Sequence, residues 1–308
     1  MDAATADRSA DDSTGVPARD SVAEAPLRLS LRDAAETLAA AGVPDPVVDA
    51  ELLAGHVLNA SRGRVQALVV TDAALSAEQA ARLRELVARR STREPLQHIT
   101  GRAPFRSLDL QVGPGVFVPR PETELLAQLA VDALLASAEP EPIGVDLGTG
   151  TGAIALSMAT EVPHARVYAV ERSPEALVWT RRNVAEAAAD NLELVEGDLK
   201  DALPELDGRA AVVVSNPPYV PDDAIPRDPE VRLFDPSVAL YGGADGLDVV
   251  RVLSLRALQL LRPGGLLAIE HGEYQGAEVR DILTADGWHA TATHRDLTLR
   301  DRVTTAVR

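Results

Sequence analysis

The sequence predicts an α/β fold: a doubly wound, mostly parallel sheet, preceded by a small all-helical domain and a β-hairpin. Three observations predict it. From residue 143 onward, short β-branched runs alternate with helix-length stretches, the pattern of a parallel sheet covered on both faces. A glycine-rich turn at 148–152 follows the first of these runs and opens a helix. Between residues 27 and 96 the apolar residues repeat only at helical spacing.

Residues 1–26 hold Ala, Asp, Ser, Thr and Pro with almost no large apolar side chains, so a disordered tail is expected there. Leu31, Ala34, Ala35, Leu38 and Ala39 then line one helical face, with Ser30 as the expected N-cap. Pro44 and Pro46 interrupt it, and Val47–Leu58 starts a second helix. Arg64–Val69 reads as a short third helix. Ser76-Ala77-Glu78-Gln79 is close to a capping box and opens a fourth that runs towards Arg90. Residues 97–121 alternate and contain Gly113-Pro114-Gly115, which predicts a hairpin turning there. Glu122–Ala136 is an amphipathic helix ended by Pro140 and Pro142. Strands are expected at Ile143–Leu147, Arg166–Glu171, Leu192–Glu196, Ala210–Asn216 and Gly265–His271, with helices near 152–160, 174–188, 246–262 and 275–286. Weaker strand patterns at 289–295 and 302–308 would close the sheet.

Composition narrows the chemistry. The 308 residues carry a formal charge of −17, which disfavours a protein relying on free nucleic acid or an anionic membrane, because phosphate contacts need clustered cations. With no cysteine, disulfides, thiolate-bound zinc and thiol nucleophiles are excluded. No apolar run approaches a membrane span and no signal pattern opens the chain, so a cytoplasmic protein, away from membranes, is expected. His98, His271, His289 and His294 show no tight ligand spacing, and no metal is expected.

Four stretches carry chemistry. The first, Asp146-Leu147-Gly148-Thr149-Gly150-Thr151-Gly152, has the form G-x-G-x-G, unlike the dinucleotide G-x-G-x-x-G. Glycines let the backbone approach a ligand closely. An acid before them would repel a pyrophosphate but suits a ligand bearing an ammonium, such as S-adenosylmethionine. The second is Glu171, which ends the next strand about 20 residues on, where an acid can accept the hydroxyls of a ribose. The third is Asp198-Leu199, an acid that can bind an adenine amino group, with an apolar neighbour for the ring; a helix N-cap is the competing reading of Asp198. The fourth is Asn216-Pro217-Pro218-Tyr219. Its prolines cannot continue a strand, so the turn holds Asn216 and Tyr219 stiffly at a strand's C-terminal end. The Asn216 side-chain oxygen and the Pro217 carbonyl can take both hydrogens of a planar NH₂ and aim its lone pair at a methyl donor.

Together with Pro263-Gly264-Gly265, these stretches resemble class I (Rossmann-like) S-adenosylmethionine-dependent methyltransferases, in the subset that methylates planar NH₂ groups. Gln97-His98-Ile99-Thr100-Gly101, Phe117 to Glu124, Ala239 to Leu247 and Glu270-His271-Gly272 are similar to the bacterial HemK/PrmC family. That family methylates the N5 nitrogen of the glutamine in the Gly-Gly-Gln motif of peptide chain release factors. The resemblance implies a substrate-recognition role for the helical domain 27–96, a hairpin linker 97–121 and a methyltransferase domain 122–308. It places the donor on Gly148, Thr149, Gly150, Thr151, Gly152, Glu171, Asp198, Leu199 and Asn216. It places the glutamine on Asn216, Pro217, Pro218 and Tyr219, with Asn216, Pro217 and Tyr219 catalytic. Release factors are the implied partners, and a monomer is expected. Leu299 stands where the family often has Gly, and Leu199 where relatives often have an aromatic. The alternative is an adenine-N6 or guanine-N2 nucleic-acid methyltransferase, since the same turn serves a flipped base; the charge of −17 and the family-like N-terminal region weigh against it.

Overall fold

The computed structural model describes residues 25–308. Apart from Ala25 and Pro26, the tail expected at 1–26 lies outside the described residues. These two form a short strand, β1. The described chain divides into two compact units, 25–39 with 45–87, and 40–44 with 88–308.

The first unit holds α1 (Leu27–Ala40), α2 (Pro46–Leu58), α3 (Arg62–Val70), β2 (Ala74–Leu75) and most of α4 (Ala77–Ser91). Helix α1 begins at Leu27, ahead of the expected cap at Ser30. Tertiary contacts explain this: β1 pairs antiparallel with β2, and the Leu27 amide donates to the Ala73 carbonyl at 3.0 Å. The capping box at α4 is present and reciprocal. The Gln79 amide donates to Ser76 Oγ at 3.2 Å, and the Ser76 amide to Gln79 Oε1 at 2.9 Å. Leu38, Leu53, Val65, Leu75, Leu83 and Leu86 are buried here.

In the second unit the expected hairpin is shorter and turns elsewhere. Residues Leu96–Thr100 form helix α5, and the hairpin consists of β3 (Arg102–Phe105) and β4 (Leu108–Gln111). Its turn lies at 106–107, with Arg106 at φ +51°, and carries no glycine or proline signal. Arg106 is held there by ion pairing to Glu161 at 2.6 Å and by its amide, which donates to Glu124. Gly113-Pro114-Gly115 instead packs on Trp179: a Cβ at Gly113 would lie 2.4 Å from the indole. The alternation at 116–118 reflects packing of Val116 and Val118 with Ala103, Val112 and Ala176, not strand pairing.

After a 3₁₀ turn at Pro121–Thr123 come α6 (Glu124–Leu135), β5 (Ile143–Leu147), α7 (Ala153–Glu161), β6 (Arg166–Glu171), α8 (Pro174–Ala187), β7 (Leu192–Glu196) and β8 (Ala210–Ser215). Two short helices missed by periodicity, α9 (Pro229–Phe234) and α10 (Ser237–Leu240), precede α11 (Asp248–Leu260), β9 (Leu261–Glu270), α12 (Gly276–Ala285), β10 (His289–Arg295) and β11 (Asp301–Val307). The sheet order is β10-β11-β9-β8-β5-β6-β7, parallel from β9 to β7, with β11 antiparallel to both its neighbours. The chain builds outward from β5 through β6 to β7, then returns to β8 on β5's other side. This places the switch point, and so the ligand crevice, at the C-terminal ends of β5 and β8.

Alternation along the strands supplies the two faces. Val167, Ala169, Val212 and Val214 pack with α6 and α7; Tyr168, Val170, Val213 and Ile269 pack with α11 and α12. Each of the valines and Ile269 contributes roughly 1.5–3 kcal/mol on burial, which anchors the strand ends that carry the site.

The β10–β11 turn resolves the Leu299 departure. Asp296 Oδ1 accepts from the amides of Thr298 and Arg300 and from the Thr298 hydroxyl. Leu299 sits at φ +64° with its side chain 76% exposed. A β-carbon in this region costs about 1–2 kcal/mol. Leu299→Gly is therefore expected to stabilise the fold by about 0.5–1 kcal/mol after the entropy of a freer unfolded chain is deducted. The readout is a higher urea midpoint at unchanged slope; a lower midpoint would show that the leucine makes a contact the turn needs.

Candidate active site

The glycine loop joins β5 to α7. Gly148, Gly150 and Gly152 all have positive φ, at +78°, +58° and +86°. A Cβ on Gly148 or Gly150 would meet no atom within 4 Å, so at these two positions it is the backbone turn that calls for glycine. Gly152 stands apart. Its Cβ would come 3.1 Å from Thr180 Cγ2, so it serves the packing of α7 against α8, while Gly148, Thr149, Gly150 and Thr151 line a cavity of about 760 Å³.

Asp146 differs from its sequence reading. It is fully buried, and its Oδ2 accepts from Thr149 Oγ1 at 2.6 Å and from the Ala155 amide at 3.1 Å. Its Oδ1 has no hydrogen-bond partner. Burial pushes this carboxyl up to about 7, against the pull of Thr149. It braces the loop from beneath instead of offering a charge to an ammonium.

Glu171, at the end of β6, also braces the loop, but from the cavity wall. Its Oε2 accepts from the Gly150 amide at 2.9 Å; its Oε1 accepts from the amides of Arg172 and Ser173 at 2.9 and 2.8 Å. Asp198 and Leu199 line the cavity beyond it. Asp198 caps a turn, with Oδ1 accepting from the Lys200 amide at 3.1 Å; no α-helix follows it, so the helix N-cap reading does not hold.

Asn216, Pro217, Pro218 and Tyr219 leave β8 into the same cavity. Ser215 Oγ donates to the Leu147 carbonyl at 2.6 Å, which ties the end of β8 to the end of β5 and brings the turn beside the glycine loop. The prolines are backed by a second glycine stretch. A Cβ on Gly242 would lie 2.4 Å from the Pro218 carbonyl oxygen, and one on Gly246 would lie 2.2 Å from that of Tyr219. Gln275 Nε2 donates to the Tyr219 carbonyl at 3.0 Å. Burial raises the Tyr219 hydroxyl above the ordinary phenol range, with Glu270 adding to the shift, so it stays protonated.

Sequence reasoning assigned no role to the groups around Asn216. Thr123 Oγ1 accepts from Asn216 Nδ2 at 3.3 Å. Glu270, at the end of β9, is 2% exposed and lines the cavity with Thr123, Glu122 and Arg302. Burial pushes its carboxyl up to about 7, with Thr123, Arg302 and Asn216 pulling the other way. The only signal available from sequence was their place within family-like stretches. Gly242 and Gly246 share that signal through 239–247, while Gln275 carries none, because its task is to hold a turn distant in the chain.

The arrangement joins a glycine cradle with flanking acids to an amide-bearing turn in a cavity of ordinary ligand size. The cradle fits a nucleoside-bearing donor: open backbone at Gly148 and Gly150, carboxylates at Glu171 and Asp198, and the apolar Leu199 all face one space. Among the described residues no group of three or more His, Asp or Glu is placed to hold a metal. Among the same residues no helix is long and apolar enough to cross a membrane.

Residues 30–101 match the family model described as PrmC N-terminal domain, and residues 108–240 that described as Methyltransferase small domain. The chain is similar to the release factor glutamine methyltransferase of Streptomyces coelicolor, 51% identical over 91% of this chain and 97% of that protein. The protein of the same name from Mycolicibacterium smegmatis is 47% identical over 92% and 98%. A 4-amino-L-phenylalanine/4-methylamino-L-phenylalanine methyltransferase of Streptomyces pristinaespiralis is 39% identical over 92% and 95%.

Proposed function

This chain belongs to the release factor glutamine methyltransferase family, and on that premise we propose that it transfers a methyl group from S-adenosylmethionine to the N5 amide nitrogen of the glutamine in the Gly-Gly-Gln motif of peptide chain release factors. The observation that carries this reading is the placement of Asn216, on a proline-stiffened turn, in the same cavity as the glycine cradle. The comparisons supply the substrate; the geometry supports the chemistry.

S-adenosylmethionine, when bound, would supply a methyl group on a sulfonium, an electrophile that the substrate nitrogen can take in exchange for the thioether. Gly148, Thr149, Gly150 and Thr151 hold the donor, Glu171 accepts from its ribose, and Asp198 and Leu199 take the adenine. The Asn216 side-chain oxygen and the Pro217 carbonyl accept the two N–H groups of the substrate amide. An amide nitrogen is a poor nucleophile because resonance delocalises its lone pair. Two acceptors fixed in place would localise that pair towards the methyl carbon; S-adenosylhomocysteine would be the leaving group, and one N–H proton would pass to solvent as the amide recovers its resonance. Tyr219, neutral, packs on the planar amide and excludes water. Catalysis is thus positioning and electrostatics with no covalent enzyme intermediate.

Mass spectrometry of a release factor after incubation with enzyme and donor tests the reading. One added methyl on the glutamine of the Gly-Gly-Gln peptide is expected, and none on DNA, RNA or free 4-amino-L-phenylalanine. A methyl found only on nucleic acid or on the free amino acid would reassign the substrate.

A further inference from the structure

We propose that Glu270 and Thr123 are positioning residues that select which end of the Asn216 amide faces the reacting nitrogen. This deepens the function proposed above and rests on it. An amide side chain has two ends of similar shape and opposite hydrogen-bonding character. Only its oxygen can accept from a substrate NH₂; turned over, Asn216 would present a donor to a donor and the site would be silent.

Three elements far apart in sequence meet to prevent that. Thr123 precedes α6, Asn216 follows β8 and Glu270 ends β9. Asn216 Nδ2 points at Thr123 Oγ1, 3.3 Å away, and both side chains lie against the Glu270 carboxylate. An ionised carboxylate only accepts. The Thr123 hydroxyl therefore turns its hydrogen to Glu270 and its lone pair to Asn216. The chain of donors and acceptors is consistent in one orientation of the amide, with Oδ1 left for the substrate. The carboxylate is 2% exposed, which limits competition from bulk solvent for these hydrogen bonds.

Glu270 faces Arg302 of β11, which favours its charge, and Glu122, which opposes it; the Tyr219 hydroxyl also faces this carboxylate. With its carboxyl near 7, Glu270 gains a proton as pH falls below that value. The protonated acid is a donor and no longer discriminates between the two ends. Wild-type kcat should accordingly fall as pH drops through about 7.

The test measures release-factor methylation and donor affinity across that pH range for the wild type, Glu270→Gln, Thr123→Val and Thr123→Ser. Glu270→Gln should lose at least about tenfold in kcat and lose the acid limb, since it cannot titrate. Donor Kd should stay within about twofold, which also shows that the variant folds. Thr123→Val should lower kcat to a similar extent, and Thr123→Ser should recover most of the rate. A Glu270→Gln enzyme with wild-type kcat, or with the acid limb unmoved, would overturn the positioning role alone. A wild-type enzyme that binds donor but transfers nothing to the release factor would overturn the function, and this role with it.

Discussion

Asn216→Ala should lower kcat for release-factor methylation by about 10²–10³-fold, the usual cost of removing one preorganised group that acts on the reacting atoms. The side chain offers no nucleophile and no titrating proton. In the proposed mechanism its contribution is an oxygen held where an N–H of the substrate must point, at the end of a strand whose residues Ala210–Ser215 are all buried. Removing it leaves the prolines, the Ser215–Leu147 tie and the glycine cradle in place. Binding of the donor and of the release factor should therefore stay within a few-fold of the wild type, and the loss should appear in single-turnover rates. Unchanged turnover would show that the amide is activated by some other group.

Glu171→Ala should act on the opposite step. The carboxylate holds three backbone amides, those of Gly150, Arg172 and Ser173, and so ties the glycine loop to the β6–α8 connection while lining the cavity. Its loss frees the loop and removes the acceptor for the ribose. We expect donor Kd to rise about 100-fold, equivalent to about 2.7 kcal/mol, with kcat at saturating donor largely recovered. Calorimetric titration with S-adenosylhomocysteine measures the first effect and saturation kinetics the second. A Kd within threefold of the wild type would move the ribose site elsewhere. Together the two variants separate the halves of the cavity: one fails in chemistry with donor bound, the other fails to retain donor.

Much of the fold is legible in the amino-acid sequence. Strands β5, β6 and β7 fall where the apolar runs place them, because a parallel strand packed within a sheet writes its apolar run directly into the sequence. The G-x-G-x-G turn and the Pro-Pro turn are legible for a related reason. Positive φ and a missing N–H are demands that a residue meets locally. The hairpin lies away from its expected place because its turn, at Arg106, is stabilised by Glu161 and Glu124 and not by turn-forming residues. Helices α9 and α10 leave no signal because six and four residues are too few to show a period.

The sequence by itself determined the alternation of the main strands and helices from β5 onward, the glycine loop and the turn that carries Asn216, since each depends on residues adjacent in the chain. Only the tertiary structure decided how those parts work as a site. The pairing of β8 between β5 and β9 brings Asn216 to Thr123, 93 residues away, and to Glu270. It also buries Asp146 under the loop, and sets Gly242 and Gly246 behind the Pro-Pro-Tyr turn. The physical reason is that hydrogen-bond direction and burial at a strand end are properties of the neighbours, and neighbours are chosen by sheet order rather than by distance along the chain.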